Sequence, residues 1–229
     1  MSYYVFVVSS RNEQCYEVFD NMRRKQLQAL GIPYKILLNG FLPEGYILQD
    51  DEEYTPEEPM TPTMALKFMH GCRRLAESGL PDYIIRVNSS TFVDFANLAR
   101  LLDPLPRRFC FAGHIMHTEV ETKIIEFIHG TTMIISKDII EYLLRTATSE
   151  NKYITDYPDD VSLSIIARQY CDHFIDLRPL YKFFVYNTEV PSQLNFETHH
   201  IFFRILNPEN RMEIDVKIWE KLYSYFISQ

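Results

Sequence analysis

The stretch DYIIRVNSSTFVDF, which spans Asp82–Phe95, predicts a buried strand that ends in a cluster of polar side chains. Residues 83–87 are apolar apart from one arginine, and Pro81 precedes them, as is typical of a short buried strand. Asn88–Thr91 follow where the strand should end, and a helical pattern is predicted from Phe92 onward. In open α/β sheets, ligands bind in the crevice outside the carboxyl ends of the strands. Asn88–Thr91 is therefore the first candidate for a binding site.

The start of the chain predicts a second piece of the same sheet. Tyr3–Val8 and Pro33–Leu38 are apolar strand candidates, and residues 13–30 carry the apolar spacing of a helix. A strand, a helix and a strand in this order predict a parallel βαβ unit. Three residues after the first strand would then face a nucleotide: Ser9, Ser10 and Arg11. The alternative is that they only cap the helix and form a surface loop.

The rest of the chain alternates strand and helix candidates with polar loops, and it contains no repeat or linker. The acidic, proline-rich residues 41–60 predict a solvated loop, and Thr61 with Pro62 predicts a helix start. Further strands are expected at 109–115, 132–135, 173–177, 182–186 and 198–205. Further helices are expected at 95–102, after Ser136, after Asp159 and from Met212.

Composition is that of an ordinary globular protein, with 46% hydrophobic and 24% charged residues. The length of 229 residues suits one α/β domain that covers residues 1–229. A net charge of −8 argues against a nucleic-acid partner, because binding to a phosphate backbone needs a basic face. The four cysteines lack a C-x-x-C spacing, which indicates buried, reduced thiols. No apolar run approaches the ~18 residues of a membrane span, and Met1–Ser10 is unlike a signal peptide.

The central stretch resembles the core of the fringe and β1,3-galactosyltransferase type of glycosyltransferase, which reads roughly K-T-D-D-D-x-F-V-N. Asn88, Ser89 and Ser90 stand where that family has three aspartates, so the metal-binding Asp-x-Asp motif is replaced. A divalent ion prefers several hard and preferably anionic oxygen ligands. The resemblance therefore implies the fold more strongly than it implies the usual metal.

Other segments resemble the same family in the same order. Gly130, Ser136 and Asp138 match S-G-x-G-x-x-L-S-x-D-L-V, and a weaker match to D-x-Y-x-N-L-T-L-K falls on Tyr54, Thr63 and Lys67. The sequence Asp159-Asp160-Val161 matches E/D-D-V, which opens a helix on the acceptor side in that family. The resemblance implies that Asp160 is the catalytic base, with Asp159 as the second candidate. The alternative is that both aspartates only cap a helix and interact with its dipole.

The resemblance implies a single-domain α/β protein with the nucleotide-diphospho-sugar transferase (GT-A) fold, a mostly parallel central sheet flanked by helices. Its nucleotide-binding half would span about 1–115 and its acceptor-side half about 116–229. The implied activity is an inverting transfer of a sugar from a nucleotide-sugar donor to a hydroxyl of a glycan or glycoprotein. Because members of that family are usually membrane-anchored and this chain shows no anchor, we expect a cytoplasmic protein in a bacterial or viral setting.

The leaving diphosphate must be neutralised as its charge develops. Without the Asp-x-Asp motif, we expect cationic side chains to substitute, so that transfer is independent of a divalent metal such as manganese or depends on it only weakly. The cationic candidates are Arg86, His199, His200, Arg204 and Arg211. The donor-binding set is completed by Ser9, Ser10, Arg11, Asn88 and Ser90.

Two other interpretations are open. One is a non-catalytic sugar- or nucleotide-binding protein on the same fold, which the missing aspartates favour and the aspartate pair at 159–160 opposes. The other is different nucleotide chemistry on a doubly wound sheet, which the lack of G-x-G-x-x-G and G-x-x-x-x-G-K opposes.

Overall fold

The computed structural model of the chain describes residues 1–40, 42–55, 61–186 and 189–227, with backbone only for residues 61–63. Its strands are β1 (Tyr3–Val8), β2 (Tyr34–Asn39), β3 (Glu52–Thr55), β4 (Tyr83–Asn88), β5 (Thr91–Val93), β6 (Phe111–Val120), β7 (Lys123–Ser136), β8 (Ile175–Asp176), β9 (Tyr181–Phe184) and β10 (Phe202–Ile205). Its helices are α1 (Gln14–Ala29), α2 (Thr61–Ser78), α3 (Phe95–Leu102), α4 (Lys137–Thr146), α5 (Lys152–Asp156), α6 (Asp159–Ala167) and α7 (Arg211–Ile227). None of the described helices is long and apolar enough to cross a lipid bilayer.

A seven-stranded central sheet has the strand order β3-β2-β1-β4-β7-β6-β8. The first four of these strands are mutually parallel, β7 runs antiparallel to both of its neighbours, and β8 is parallel to β6. The predicted parallel βαβ unit at the start of the chain is confirmed, because β1 and β2 pair in parallel from Val5 with Tyr34 to Val8 with Leu37. The prediction of a mostly parallel sheet is confirmed as well.

Helices and a second sheet cover the two faces of this central sheet. On one face, apolar residues of α2, α4 and α6 pack against strands β1, β4, β6 and β7. On the other face lies a three-stranded sheet of order β5-β10-β9, whose Tyr181 and Phe202 join the same buried cluster as Val87. Helices α1 and α7 enclose the outer side of this small sheet, where Phe19 stacks on Trp219. The four cysteines are buried and free, as expected.

The helical pattern expected from Phe92 is wrong, because Thr91–Val93 form strand β5 and the helix begins at Phe95. Strand β5 pairs antiparallel with β10, which lies about a hundred residues later in the chain. Phe92 and Val93 enter different buried clusters, so the segment alternates as a strand does. This partner is far away in sequence, and a local pattern could not show it.

The loop expected over residues 41–60 is also only partly right. Residues 41 and 56–60 lie outside the described part of the chain, but Glu52–Thr55 form β3, the parallel edge strand beside β2. Glu52 is buried because Arg11 and Arg24 of the first βαβ unit both donate to its Oε1 atom over 2.6 Å. An acidic residue that is exposed in an isolated loop becomes an interior ion-pair partner here.

The largest departure is a long hairpin of β6 and β7, where two short strands were expected at 109–115 and 132–135. The backbone φ angles of Glu121 and Thr122 are +47° and +69°, as a tight hairpin turn requires. Many residues of the hairpin are polar and exposed, so they lack the apolar pattern that predicts a buried strand. The later expected strands are shorter than predicted: β8 has two residues, β9 ends at Phe184 and β10 begins at Phe202.

Candidate functional site

A cleft of about 270 Å³ lies at the carboxyl ends of three neighbouring parallel strands. The ends of β1, β2 and β4 contribute Val8, Asn39 and Asn88, and the loop after β1 contributes Ser10. Its other lining residues are Ser9, Asn12, Glu13, Tyr16, Met64 and Lys67. This is the position at which open α/β sheets bind ligands.

The turn after β4 forms one wall of the cleft and holds a guanidinium group. The Asn88 side-chain oxygen accepts hydrogen bonds from the Ser90 N–H over 3.1 Å and from the Ser90 hydroxyl over 2.9 Å. Arg204 on β10 donates from Nη1 to that same oxygen over 3.2 Å and to the Ser90 hydroxyl. Burial lowers the pKa of Arg204, but an arginine still keeps its charge. No described carboxylate forms an ion pair with it.

Buried side chains of α1 hold the same turn in place. Arg23 donates to the backbone carbonyls of Ser89 and Thr91 over 3.0 and 2.7 Å, and the Ser89 hydroxyl donates to Asp20 over 2.9 Å. All of these side chains are buried. The geometry of the turn is therefore set by ion and hydrogen-bond partners on a different element.

The turn does not fit a divalent metal ion. Its oxygens are uncharged, and those of Asn88 and Ser90 already accept from Arg204, so a cation placed there would meet a fixed guanidinium. Within the described ranges, no cluster of three or more His, Cys, Asp or Glu side chains is arranged to hold a metal ion.

In the loop after β1, some side chains line the cleft and others make contacts in the protein interior. Ser10 faces the cleft, whereas the Ser9 hydroxyl donates to Asp20 over 2.6 Å. The Arg11 guanidinium is buried, pairs with Asp20 over 2.9 Å and with Glu52 over 2.6 Å, and donates to the Tyr46 hydroxyl over 3.0 Å. Arg11 thus ties the loop to β3 rather than presenting its charge to the cleft.

Arg86 and Asp159 form a buried ion pair between β4 and α6. The second terminal nitrogen of Arg86 donates to the Gly130 carbonyl over 2.7 Å. Burial raises the pKa of the Asp159 carboxyl, and the Arg86 charge opposes that rise. Asp159 is therefore a structural partner of Arg86 and faces inward.

Asp160 is half-buried at the start of α6 and has no cationic partner among the described ion pairs. Its Oδ2 atom accepts the Gly130 N–H over 2.9 Å, and its Oδ1 atom accepts the Val161 N–H over 2.9 Å. A Cβ atom at position 130 would lie 3.3 Å from both Arg86 Nη1 and Asp160 Oδ2. Gly130 therefore lets the strand approach both side chains closely.

The structure does not bring every candidate cation to this region. His199 and His200 precede β10, beyond the end of that strand opposite Arg204, and both interact with Glu197. Arg211, by contrast, lies at the edge of the cleft, where it pairs with the lining residue Glu13 over 3.0 Å, and its second partner is Asp215 over 2.9 Å. The side chains that meet near the turn and Gly130 are Arg86, Asn88, Ser90, Asp159, Asp160 and Arg204.

Sequence reasoning assigned no role to two further residues of this region. Lys67 lines the cleft with its ammonium group buried, and half-buried His129 lies beside Gly130 in β7. Burial, followed by the charges of Arg204 and His114, lowers the pKa of His129 to about 4, so its ring is neutral near pH 7. Lys67 falls outside the apolar stripe of α2, which comprises Ala65, Phe68, Met69, Cys72, Leu75 and Ala76, so helical periodicity gave no signal for its burial.

Comparisons with known proteins bear on the fold. No family model matches the sequence, and no curated protein matches it, so the resemblance to the fringe type stays a prediction. A glycosyltransferase involved in glycosylation of the major capsid of PBCV-1 is similar in structure, with a TM-score of 0.61 and 11% identity over 96% of this chain and 99% of that one. Galactosyltransferase LgtC, solved with donor and acceptor sugar analogs, gives a TM-score of 0.50 and 9% identity over 97% of this chain and 95% of that one. The chain has the type A glycosyltransferase fold, with its cleft at the carboxyl ends of β1, β2 and β4.

Proposed function

We propose that this protein transfers a sugar from a nucleotide-sugar donor to a hydroxyl group of a glycan or glycoprotein. The observation that carries the proposal is Arg204, whose guanidinium lies on Asn88 and Ser90 at the carboxyl end of β4, beside the cleft. Both solved proteins of similar fold are described as glycosyltransferases, which supports sugar transfer as the class of activity.

In this proposal the donor lies across the cleft, with its base near the loop Ser9–Arg11 and its diphosphate near Asn88–Ser90. Ser9 and Ser10 of that loop line the cleft together with Asn88. The nucleotide-binding half, about 1–115, supplies the three strand ends. The acceptor-side half, about 116–229, supplies Asp160 and the arginine on β10.

Arg204 would take the role that a bound metal plays in enzymes with an Asp-x-Asp motif. As the bond between the sugar and the diphosphate breaks, negative charge grows on the phosphate oxygens and a fixed cation lowers the energy of that state. A guanidinium presents several N–H donors in a rigid plane, which suits phosphate oxygens. Transfer should therefore proceed without a divalent ion.

Asp160 is the proposed base. It would accept the proton of the acceptor hydroxyl while that oxygen bonds to the anomeric carbon and the bonding electrons leave with the diphosphate. Attack opposite to the leaving group inverts the anomeric centre. Asp159 is poorly placed for this role, because Arg86 holds its carboxylate in the interior.

A panel of nucleotide sugars, assayed for transfer and for donor hydrolysis with and without a chelator, tests the proposal. We expect one donor to raise the melting temperature, since ligand binding stabilises the folded state by mass action, and to be consumed in the presence of the chelator. Activity that needs manganese would contradict the role of Arg204. Sugar binding without any turnover would instead favour a non-catalytic binding protein on this fold.

A further inference from the structure

Lys67 lines the cleft, and its ammonium group is buried. Lys67 is 2% exposed, and its Nζ atom donates to the Ser9 carbonyl over 2.9 Å and to the Asn39 side-chain oxygen over 2.6 Å. These two acceptors belong to the ends of β1 and β2, so Lys67 bridges two of the three strands that form the cleft.

Both acceptors of Lys67 are uncharged. An ammonium group has three N–H donors, and the third has no partner among the described residues. The charged groups around it are Arg86 on β4, Asp159 on α6 and Asp20 on α1, and neither of the two carboxylates forms an ion pair with Lys67. Both carboxylates form ion pairs with arginines instead: Asp159 pairs with Arg86, and Asp20 pairs with Arg11.

A buried cation without a bonded anion is costly, because burial removes its hydration. Burial, together with the charge of Arg86, lowers the pKa of Lys67 to about 7. An incoming anion would supply the missing partner and restore the favourable interaction. Such an arrangement is unfavourable for a purely structural residue and suitable for a group that receives a ligand.

We propose that Lys67 is the second cation of a two-cation site for a diphosphate, which it binds directly through its third N–H, while Arg204 binds the same group from the side of Asn88. The identity of the anion as the diphosphate of a nucleotide sugar rests on the proposed function. The anion site itself does not, since it predicts binding of inorganic pyrophosphate even if no sugar is transferred.

The test is calorimetric titration of the full chain with inorganic pyrophosphate at pH 6.5, where Lys67 is mostly protonated. We expect Lys67→Met to weaken pyrophosphate binding by about 10- to 100-fold, the typical effect of losing a charge-assisted hydrogen bond. The matched control is Lys137→Met, which removes one positive charge at the opposite end of β4 and should change the affinity by less than about twofold.

A second variant keeps the proposal testable if Lys67→Met does not fold. Lys67→Gln retains a donor for the Ser9 and Asn39 oxygens without the charge, and it should show the same loss of pyrophosphate binding with a normal circular dichroism spectrum. Parent-like pyrophosphate affinity in either variant, or no binding to the parent protein, would overturn the site. Lys67-dependent pyrophosphate binding without sugar transfer would leave the site standing and reject the proposed function.

Discussion

The backbone N–H of Gly130 donates a hydrogen bond of 2.9 Å to the Oδ2 atom of Asp160, while the Gly130 carbonyl accepts one of 2.7 Å from Arg86. One residue of β7 thus orients both the proposed base and the cation that holds its neighbour Asp159. The peptide group of Gly130 sets the relative position of two charged side chains that come from different elements.

Asp160→Asn should reduce transfer by about 10²- to 10⁴-fold, the usual contribution of a general base. The amide oxygen can still accept the Gly130 N–H, and only the hydrogen bond from the Val161 N–H is lost, so the position of the side chain and the affinity for donor should change little. Rate and donor affinity, measured separately, check this expectation. Transfer at the parent rate would rule Asp160 out as the base.

Asp159→Asn should lower the stability of the folded protein rather than act as a loss of the catalytic base. It removes the carboxylate that neutralises buried Arg86, and breaking a buried ion pair typically costs about 3–5 kcal/mol. Urea denaturation of the two asparagine variants side by side makes the comparison. A free energy of unfolding for Asp159→Asn equal to that of Asp160→Asn would show that the ion pair does not stabilise the fold.

Gly130→Ala should lower transfer more than donor binding. The added methyl group would lie 3.3 Å from Arg86 Nη1 and Asp160 Oδ2, so one of these side chains must shift. Overpacking of this kind costs about 1–3 kcal/mol of stability. Gly113→Ala is the control: its Cβ would lie 2.6 Å from the Thr132 carbonyl, so it should destabilise the fold strongly while the residual folded protein keeps its donor affinity.

Arg204→Ala should weaken binding of a nucleoside diphosphate by about 1.5–3 kcal/mol, which corresponds to about 10- to 100-fold. His200→Ala is a suitable comparison, because His200 precedes the other end of β10 and contacts Glu197. Calorimetry with the diphosphate measures both. Parent-like affinity for the diphosphate in Arg204→Ala would show that Arg204 has no part in anion binding.

The pH dependence of stability should report on Lys67. Its pKa is about 7 in the folded chain, below the ordinary value of 10.5, so between these values the unfolded chain binds more protons. The free energy of unfolding of the parent, relative to Lys67→Met, should therefore rise as the pH increases from about 7 towards 10. A constant difference across urea denaturations at pH 6.5, 8 and 9.5 would show that Lys67 titrates normally.

The sequence was informative where local pattern and tertiary structure agree. The apolar run before Asn88 predicts β4, and the polar residues after it mark the strand end that borders the cleft. The contact of Arg204 with Asn88 joins residues 116 positions apart and has no local signature. The burial of Glu52 likewise depends on Arg11 and Arg24, which are distant in sequence. The acidic residues around Glu52 therefore predicted a loop where the structure has strand β3.

The pairs beneath the turn, Asp20 with Arg11 and Arg23, are buried, and dissolved salt screens buried pairs far less than exposed ones. A free anion approaching the cleft from solvent, by contrast, feels a field that added salt weakens. Raising the ionic strength should thus lower the affinity for a diphosphate while the turn keeps its shape. Added salt should therefore leave the buried ion pairs that shape the turn almost unchanged, while it weakens the attraction of the cleft for an anion.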